Sequence, residues 1–259
     1  MDTFDRIWSS RILSMIIERI RDLIFIEIDN EKKLVIACDS CGSIGEKDHD
    51  VLKVPHFITG KYTARVGLLE VLCTNSKVVA VIDNVCAEME PTGREIIKGI
   101  EAELLAAGLK DVALGGSTEE NFETFATGLG ITVIGIGSKK DLKVNNIRNE
   151  AMVYSLGIPK VGGEINLKGD EEIAQYEIIK ELLSKDEIFE IVPVGSKGIL
   201  YEAREIARFN KKEFILDNEK DIDIYKSAGP ATTVLLCISK VMEEKVKSVP
   251  NTFKIGRIK

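Results

Sequence analysis

Residues 111–137 read DVALGGSTEENFETFATGLGITVIGIG. An apolar strand over 111–116 ends in Gly115-Gly116, followed by Ser117, Thr118, Glu119, Glu120 and Asn121. A second strand is expected over 130–137, GITVIGIG. Glycines at a strand end let backbone N–H groups approach phosphate oxygens, hydroxyls add donors, and carboxylates suit a hard cation such as Mg²⁺. A Gly-rich turn with solvated acids fits the same letters equally well.

Two more strand ends have this character. Upstream, LVIAC (34–38) runs into Asp39-Ser40-Cys41-Gly42-Ser43-Ile44-Gly45-Glu46-Lys47. An acid at a strand end can hold Mg²⁺, and a lysine adds a point charge. The G-x-x-x-x-G-K-[ST] spacing of a Walker loop is missing, and a flexible surface loop is the plainer reading. Between the two clusters, Asn75-Ser76 precedes VVAVID (78–83), which ends in Asp83-Asn84. Alone, these are an ordinary helix stop and a loop-capping acid.

The remaining elements follow from pattern. Phe4, Ile7, Trp8, Leu13, Ile16, Ile17 and Ile20 at helical spacing predict an opening helix. A strand is expected at 24–28, and 42–60 reads as a long loop. Helices are expected at 63–74 and from a Thr92/Glu95 capping box to Gly108. The second half loosely repeats this order. Helices are expected at 170–184, 196–209 and 239–248, with strands at 188–194, 213–217, 231–239 and 253–258. The polar stretch 138–169 reads as the join. Two mixed halves, 1–140 and 141–259, imply a two-domain α+β (α/β-like) protein.

Bulk properties exclude several classes. The 259 residues carry a net charge of −7, with 44% hydrophobic and 30% charged residues. No basic footprint for nucleic acid is present. No secretory signal or membrane-length apolar run is visible. Five cysteines in this length do not make a disulfide framework, so a reduced, cytoplasmic protein is expected.

In their order, DSCGSIG, TNSKVVAVIDN and GGSTEEN resemble the motifs of the PurM-like (aminoimidazole-ribonucleotide-synthetase-related) ATP-binding superfamily. There an Asp-containing Gly loop is followed by an Asn-Asp pair and then Gly-Gly-[Asp/Glu]-Thr. Residues 30–140 carry the resemblance; GSKGILYEAREIA and SAGPATTVLL anchor it less specifically in the second half. Ser76 and Ser117 stand where the family has acids, so Asp83, Glu119 or Glu120 are candidate replacements. The string GGSTEEN and the short length are most similar to the α-ribazole kinase branch of cobalamin salvage.

The resemblance implies N-terminal strands closing a shared barrel in a homodimer, beside a C-terminal α/β domain. It implies ATP and Mg²⁺ as cofactors, a riboside as acceptor, and transfer of the γ-phosphoryl group to its 5′-hydroxyl. Asp39, Asp83, Glu119 and Glu120 are then the metal candidates. Gly42, Ser43, Gly45, Asn75, Gly115, Gly116, Ser117, Thr118 and Asn121 are the nucleotide candidates. Asp39, Lys47 and His56 are the catalytic ones, His56 because Val54-Pro55-His56-Phe57 resembles a His-Phe element of the kinases. The same fold also serves thiamine-monophosphate kinase and synthetase chemistry, and the missing acids suit a non-catalytic nucleotide binder. A zinc site on Cys38-x-x-Cys41 with His49 and His56 lacks a finger spacing.

Overall fold

The computed structural model describes residues 16–217 and 222–259. Phe4, Ile7, Trp8 and Leu13 lie outside the described residues. Ile17 and Ile20, assigned to the same helix, belong instead to a strand: β1 (Ile17–Ile20) pairs antiparallel with β2 (Leu23–Glu27) around Arg21-Asp22. Arg21 takes a left-handed φ of 53°, as a two-residue hairpin turn demands.

Next come β3 (Lys32–Gly42), β4 (Ile44–Gly45), β5 (Leu52–Lys53), α1 (His56–Leu72), β6 (Lys77–Val85), α2 (Arg94–Ala106), β7 (Ala113–Thr118) and β8 (Gly128–Ser138). The expected loop over 42–60 is therefore short: β4 and β5 pair within it, and α1 starts earlier than its apolar letters indicate. Six strands form one sheet in the order β1-β2-β3-β8-β6-β7. Its inner face is covered by α1 and α2. The outer face carries exposed Ile17, Ile24 and Ile82.

The second sheet, ordered β10-β12-β9-β13-β11, comprises β9 (Ala151–Leu156), β10 (Ile188–Pro193), β11 (Phe214–Leu216), β12 (Val234–Ile238) and β13 (Thr252–Ile258). Helices α3 (Tyr176–Leu183), α4 (Gly198–Phe209) and α5 (Glu243–Lys247) complete the chain. The stretch read as a join thus contains the central strand of this sheet, with all six residues buried. Met152, Tyr154 and Leu156 share a core with α1, α2 and α3, while Ala151 and Val153 pack with Ile199, Ala203 and Ile206 of α4. A strand covered on both faces shows no alternation, so its pattern is silent.

The capping box at α2 does not form. The Thr92 hydroxyl donates to Glu88 at 2.5 Å, within a wide turn over Met89–Gly93, and Glu95 pairs with Lys98 instead. Gly108 does stop this helix, with φ 64°. Among the described residues, no helix is long and apolar enough to cross a membrane.

Helices α1 and α2 cross with backbone almost on backbone. A methyl at Gly60 would overlap the Ile96 carbonyl, and one at Gly99 would overlap the Phe57 carbonyl. Alanine would favour a helix by about 1 kcal/mol, but overpacking against an immovable carbonyl costs about 1–3 kcal/mol or more. Gly99→Ala is therefore expected to destabilise the protein by roughly 1–3 kcal/mol net, read as a lower urea midpoint; an unchanged or raised midpoint would contradict this crossing.

Candidate active site

Four strands set out the site through their register. Asp39 on β3 pairs with Ile131 on β8, Ile131 pairs with Asp83 on β6, and Asp83 pairs with Gly116 on β7. All four share the inner face. Adjacent strands lie about 4.8 Å apart, so the two aspartates stand roughly 10 Å from each other. Gly116 is required there, because a methyl would press on the Asp83 carboxylate, 2.5 Å away.

Beside Asp39 opens a cavity of about 490 Å³. Its floor is Asp39 to Gly42; one wall is α1, through Tyr62, Thr63, Val66 and Glu70. The far side comes from the second sheet and its loops, including Val161, Ile165, Pro193 and Gly229 to Ala231. Among the described residues the lining is mostly apolar and contains no lysine, arginine or histidine, and Asp39 and Glu70 are its only carboxylates. Burial pushes the Asp39 carboxyl up to about 6. Burial also raises Glu70 to about 8; Asp22, Glu202 and Asp39 add to the rise and Arg21 opposes it.

The sequence reading missed Glu70. It stood in VGLLEVLC as one acid in an apolar helical run, and that isolation was the available signal. The motif reading settled instead on Asn75-Ser76, which the structure places elsewhere. Asn75 is a turn residue with φ 64°, its amide donating to the Asp141 carbonyl at 3.0 Å, just before β6 begins. Asp83 lies six residues into that strand, about 20 Å along the rise from its start.

Most of the other candidates form a second group. Asp50 accepts from the Thr127 N–H and hydroxyl at 2.7 and 2.6 Å and from the Lys47 N–H at 2.9 Å. Burial alone would raise its carboxyl, but these bonds outweigh it and hold the group low. His56 is buried at the start of α1; its Nε2 accepts the Glu46 N–H at 3.1 Å and lies 3.1 Å from the Thr127 hydroxyl. Gly45 fits against Asp50 and His56 only because it has no side chain. The Ser43 N–H is already donated to the Thr127 carbonyl at 2.8 Å. Lys47 Nζ pairs with Glu88 at 2.7 Å. His56, Lys47 and Ser43 thus hold the loop together and do not line the cavity.

The strand-end segment after β7 stands apart again. Ser117, Thr118 and Glu119 line a groove of about 460 Å³ with Asn84, Cys86 and Phe122. Glu120 accepts from Thr118 and from the Met89 N–H, and Glu119 accepts from the Asn121 N–H. Gly115 is exposed on the outer face. The metal quartet Asp39, Asp83, Glu119 and Glu120 therefore does not converge. Among the described residues no three His, Cys, Asp or Glu side chains form a metal-holding group. This also removes the Cys38/Cys41 zinc reading within those residues. Asp39 and Glu70 share the lining of one cavity and would be the residues to hold Mg²⁺ there, an ion often bound through one or two carboxylates together with substrate phosphates.

This architecture, a six-stranded sheet and a five-stranded sheet with helices between, is the PurM-like α/β fold. Thermotoga maritima PurL complexed with AMPPCP superposes with a TM-score of 0.67 at 14% identity, over 90% of this chain and 41% of that one. Thiamine-monophosphate kinase from Stenotrophomonas maltophilia K279a gives 0.60 at 14% identity, over 98% and 91%. AaThiL complexed with AMPPCP and TMP gives 0.60 at 13%, over 99% and 88%. The chain spans about two fifths of the PurL structures it matches. No family model matches it, and no curated protein matches it in sequence.

The raised carboxyls make stability depend on pH. Glu70 at about 8, Glu202 at about 7 and Asp39 at about 6 hold protons in the folded state where the unfolded chain would have released them. Stability in Mg²⁺-free buffer is therefore expected to rise as pH falls from 8 to 6. Glu70→Gln should remove the upper part of that slope and leave the Glu202 and Asp39 parts. Urea midpoints at three pH values test this, and identical slopes in the two proteins would disprove the assignment to Glu70.

Proposed function

We propose that this chain is an ATP-dependent kinase that transfers the γ-phosphoryl group to the 5′-hydroxyl of α-ribazole, in salvage of the cobalamin lower ligand. The observation that carries the reading is the cavity: apolar along most of its wall, with two carboxylates and no cationic side chain among the described lining residues. A riboside with an apolar aromatic base matches such a lining, its hydroxyl end toward Asp39 and Glu70. An acceptor that already bears a phosphate, such as thiamine monophosphate, would find no counter-charge among the lining side chains.

In this reading Asp39 and Glu70 hold Mg²⁺, which supplies charge neutralisation for the phosphates. Phosphoryl transfer needs mostly positioning and electrostatics. Asp39, on a sheet strand, and Glu70, on a helix locked by Gly60 and Gly99, are both rigidly placed for that. The nucleotide phosphates are assigned to the cavity beside Asp39 and Gly42, with the rest of the nucleotide running along the ends of β3, β6 and β7 toward the groove beside Ser117 and Thr118. Support for an ATP-using enzyme also comes from neighbours of the same fold that were solved with ATP or AMPPCP. The exposed apolar outer face of the first sheet supports a second copy of the chain packing there, since a sheet face of this kind is ordinarily covered.

The direct test is ADP release from Mg-ATP with α-ribazole, adenosine, thiamine monophosphate or no acceptor, with the product identified by mass. Release with α-ribazole alone is expected. Equal release with thiamine monophosphate, or none with any acceptor despite ATP binding, would refute the reading. Asp39→Asn and Glu70→Gln should each lower kcat by at least about 100-fold, a loss of roughly 3 kcal/mol of transition-state stabilisation, while the fold is kept. A wild-type rate in either variant would remove that residue from the site.

A further inference from the structure

Arg65 sits on α1 among residues that line the cavity (Tyr62, Thr63 and Val66) without lining it itself. It is only 4% exposed. Its Nε donates to the Ala231 carbonyl at 3.3 Å, one terminal nitrogen donates to the Ala174 carbonyl, and the other lies 3.5 Å from Glu103 Oε1. Tyr176 donates its hydroxyl to the same Glu103 oxygen at 2.7 Å. The guanidinium also lies 5.2 Å from the centre of the Tyr176 ring. Glu103 and Tyr176 are as buried as Arg65.

The partners come from four places: α2, the segment before α3, the start of α3, and the loop before β12. That loop is one wall of the cavity, through Gly229, Pro230 and Ala231. It is also bonded to the segment before α3, since the Ala174 N–H donates to the Thr232 carbonyl at 2.8 Å. Ala231 has a left-handed φ of 51°, which a residue with a Cβ holds only when its surroundings fix it.

A buried ion pair is poor evidence of stabilisation, because apolar residues of like volume often serve as well. A planar guanidinium is different in that it addresses several acceptors at once in fixed directions. We propose that Arg65 is a positioning residue, which ties the 229–231 wall to α1 and so sets the acceptor end of the cavity. This rests on the kinase reading and deepens it: Arg65 governs acceptor binding and leaves the nucleotide alone.

The test compares Arg65→Lys and Tyr176→Phe with the wild type. Hydrogen exchange is followed at the bonded amides of Ala174, Ala228 and Thr232, together with KM for α-ribazole, KM for ATP, kcat and melting temperature. Lysine keeps the charge but lacks the fork. It is expected to speed exchange at these amides and to raise KM for α-ribazole about tenfold, with KM for ATP within about twofold, since small misplacements of a binding wall have effects of that size. Tyr176→Phe keeps the arginine–carbonyl bonds and should give a smaller change, about threefold, in the same direction. If Arg65→Lys does not fold, Tyr176→Phe alone decides the matter. Unchanged exchange at the three amides, or a parallel rise in both KM values, would overturn the proposal. If the wild type shows no α-ribazole turnover, the kinase reading fails, and the exchange data alone judge whether Arg65 holds the wall.

Discussion

The crossing of α1 and α2 at Gly60 and Gly99 governs where the remaining side chains point. The Ile96 carbonyl lies against Gly60 and the Phe57 carbonyl against Gly99, so the two backbones meet without room for a side chain between them. The α1 face toward the sheet is then fixed by Leu68, Leu69 and Val71, and its face toward the second sheet by Tyr62, Val66 and Glu70. One helix therefore supplies core packing, the cavity wall and the Arg65 fork. Such a helix must be apolar nearly all round, which is how TARVGLLEVL reads.

That pattern explains what could and could not be read from the letters. Strands covered on one face, such as β8, alternate between buried and half-buried residues and were legible. Strand β9 was not, because both its faces are buried and its neighbours on either side are polar. The end of the opening helix expected from Phe4 to Ile20 was mistaken over 17–20, because Ile17 and Ile20 also satisfy a three-residue spacing; the Arg21-Asp22 turn, which fixes the hairpin, carries no glycine to announce it.

For the candidate site the same contrast holds. Asp39 was legible because an acid ends an apolar run. Glu70 was not, because its partner in space is 31 positions away in the chain, and only the stacking of α1 on β3 joins them. The glycine-rich letters were over-read: Gly45 and Gly116 are needed for close packing against Asp50 and Asp83, and Gly115 is merely exposed. A glycine beside an acid signals crowding as readily as phosphate contact. His56 shows a related ambiguity. A histidine near a helix start looks available, but here the Glu46 N–H and the Thr127 hydroxyl occupy its ring nitrogen.

The charges around the cavity are unequally compensated, and the inequality has a direction. Asp50, Glu88 and Asp170 are held below the ordinary carboxyl range, because hydrogen bonds and lysines outweigh the effect of burial. Asp39 and Glu70, the two acids that face the cavity, are raised. Burial is the main cause of the rise at Glu70; Arg21, which bonds Glu190 at 3.2 Å, opposes it, and Asp22, Glu202 and Asp39 add to it. Asp39 keeps a backbone hydrogen bond from Ser40, but burial outweighs it. In the kinase reading proposed above, these are the groups that would meet an oxygen-seeking cation arriving with its own phosphate ligands, and the energy of that meeting is largest where the surrounding wall is driest.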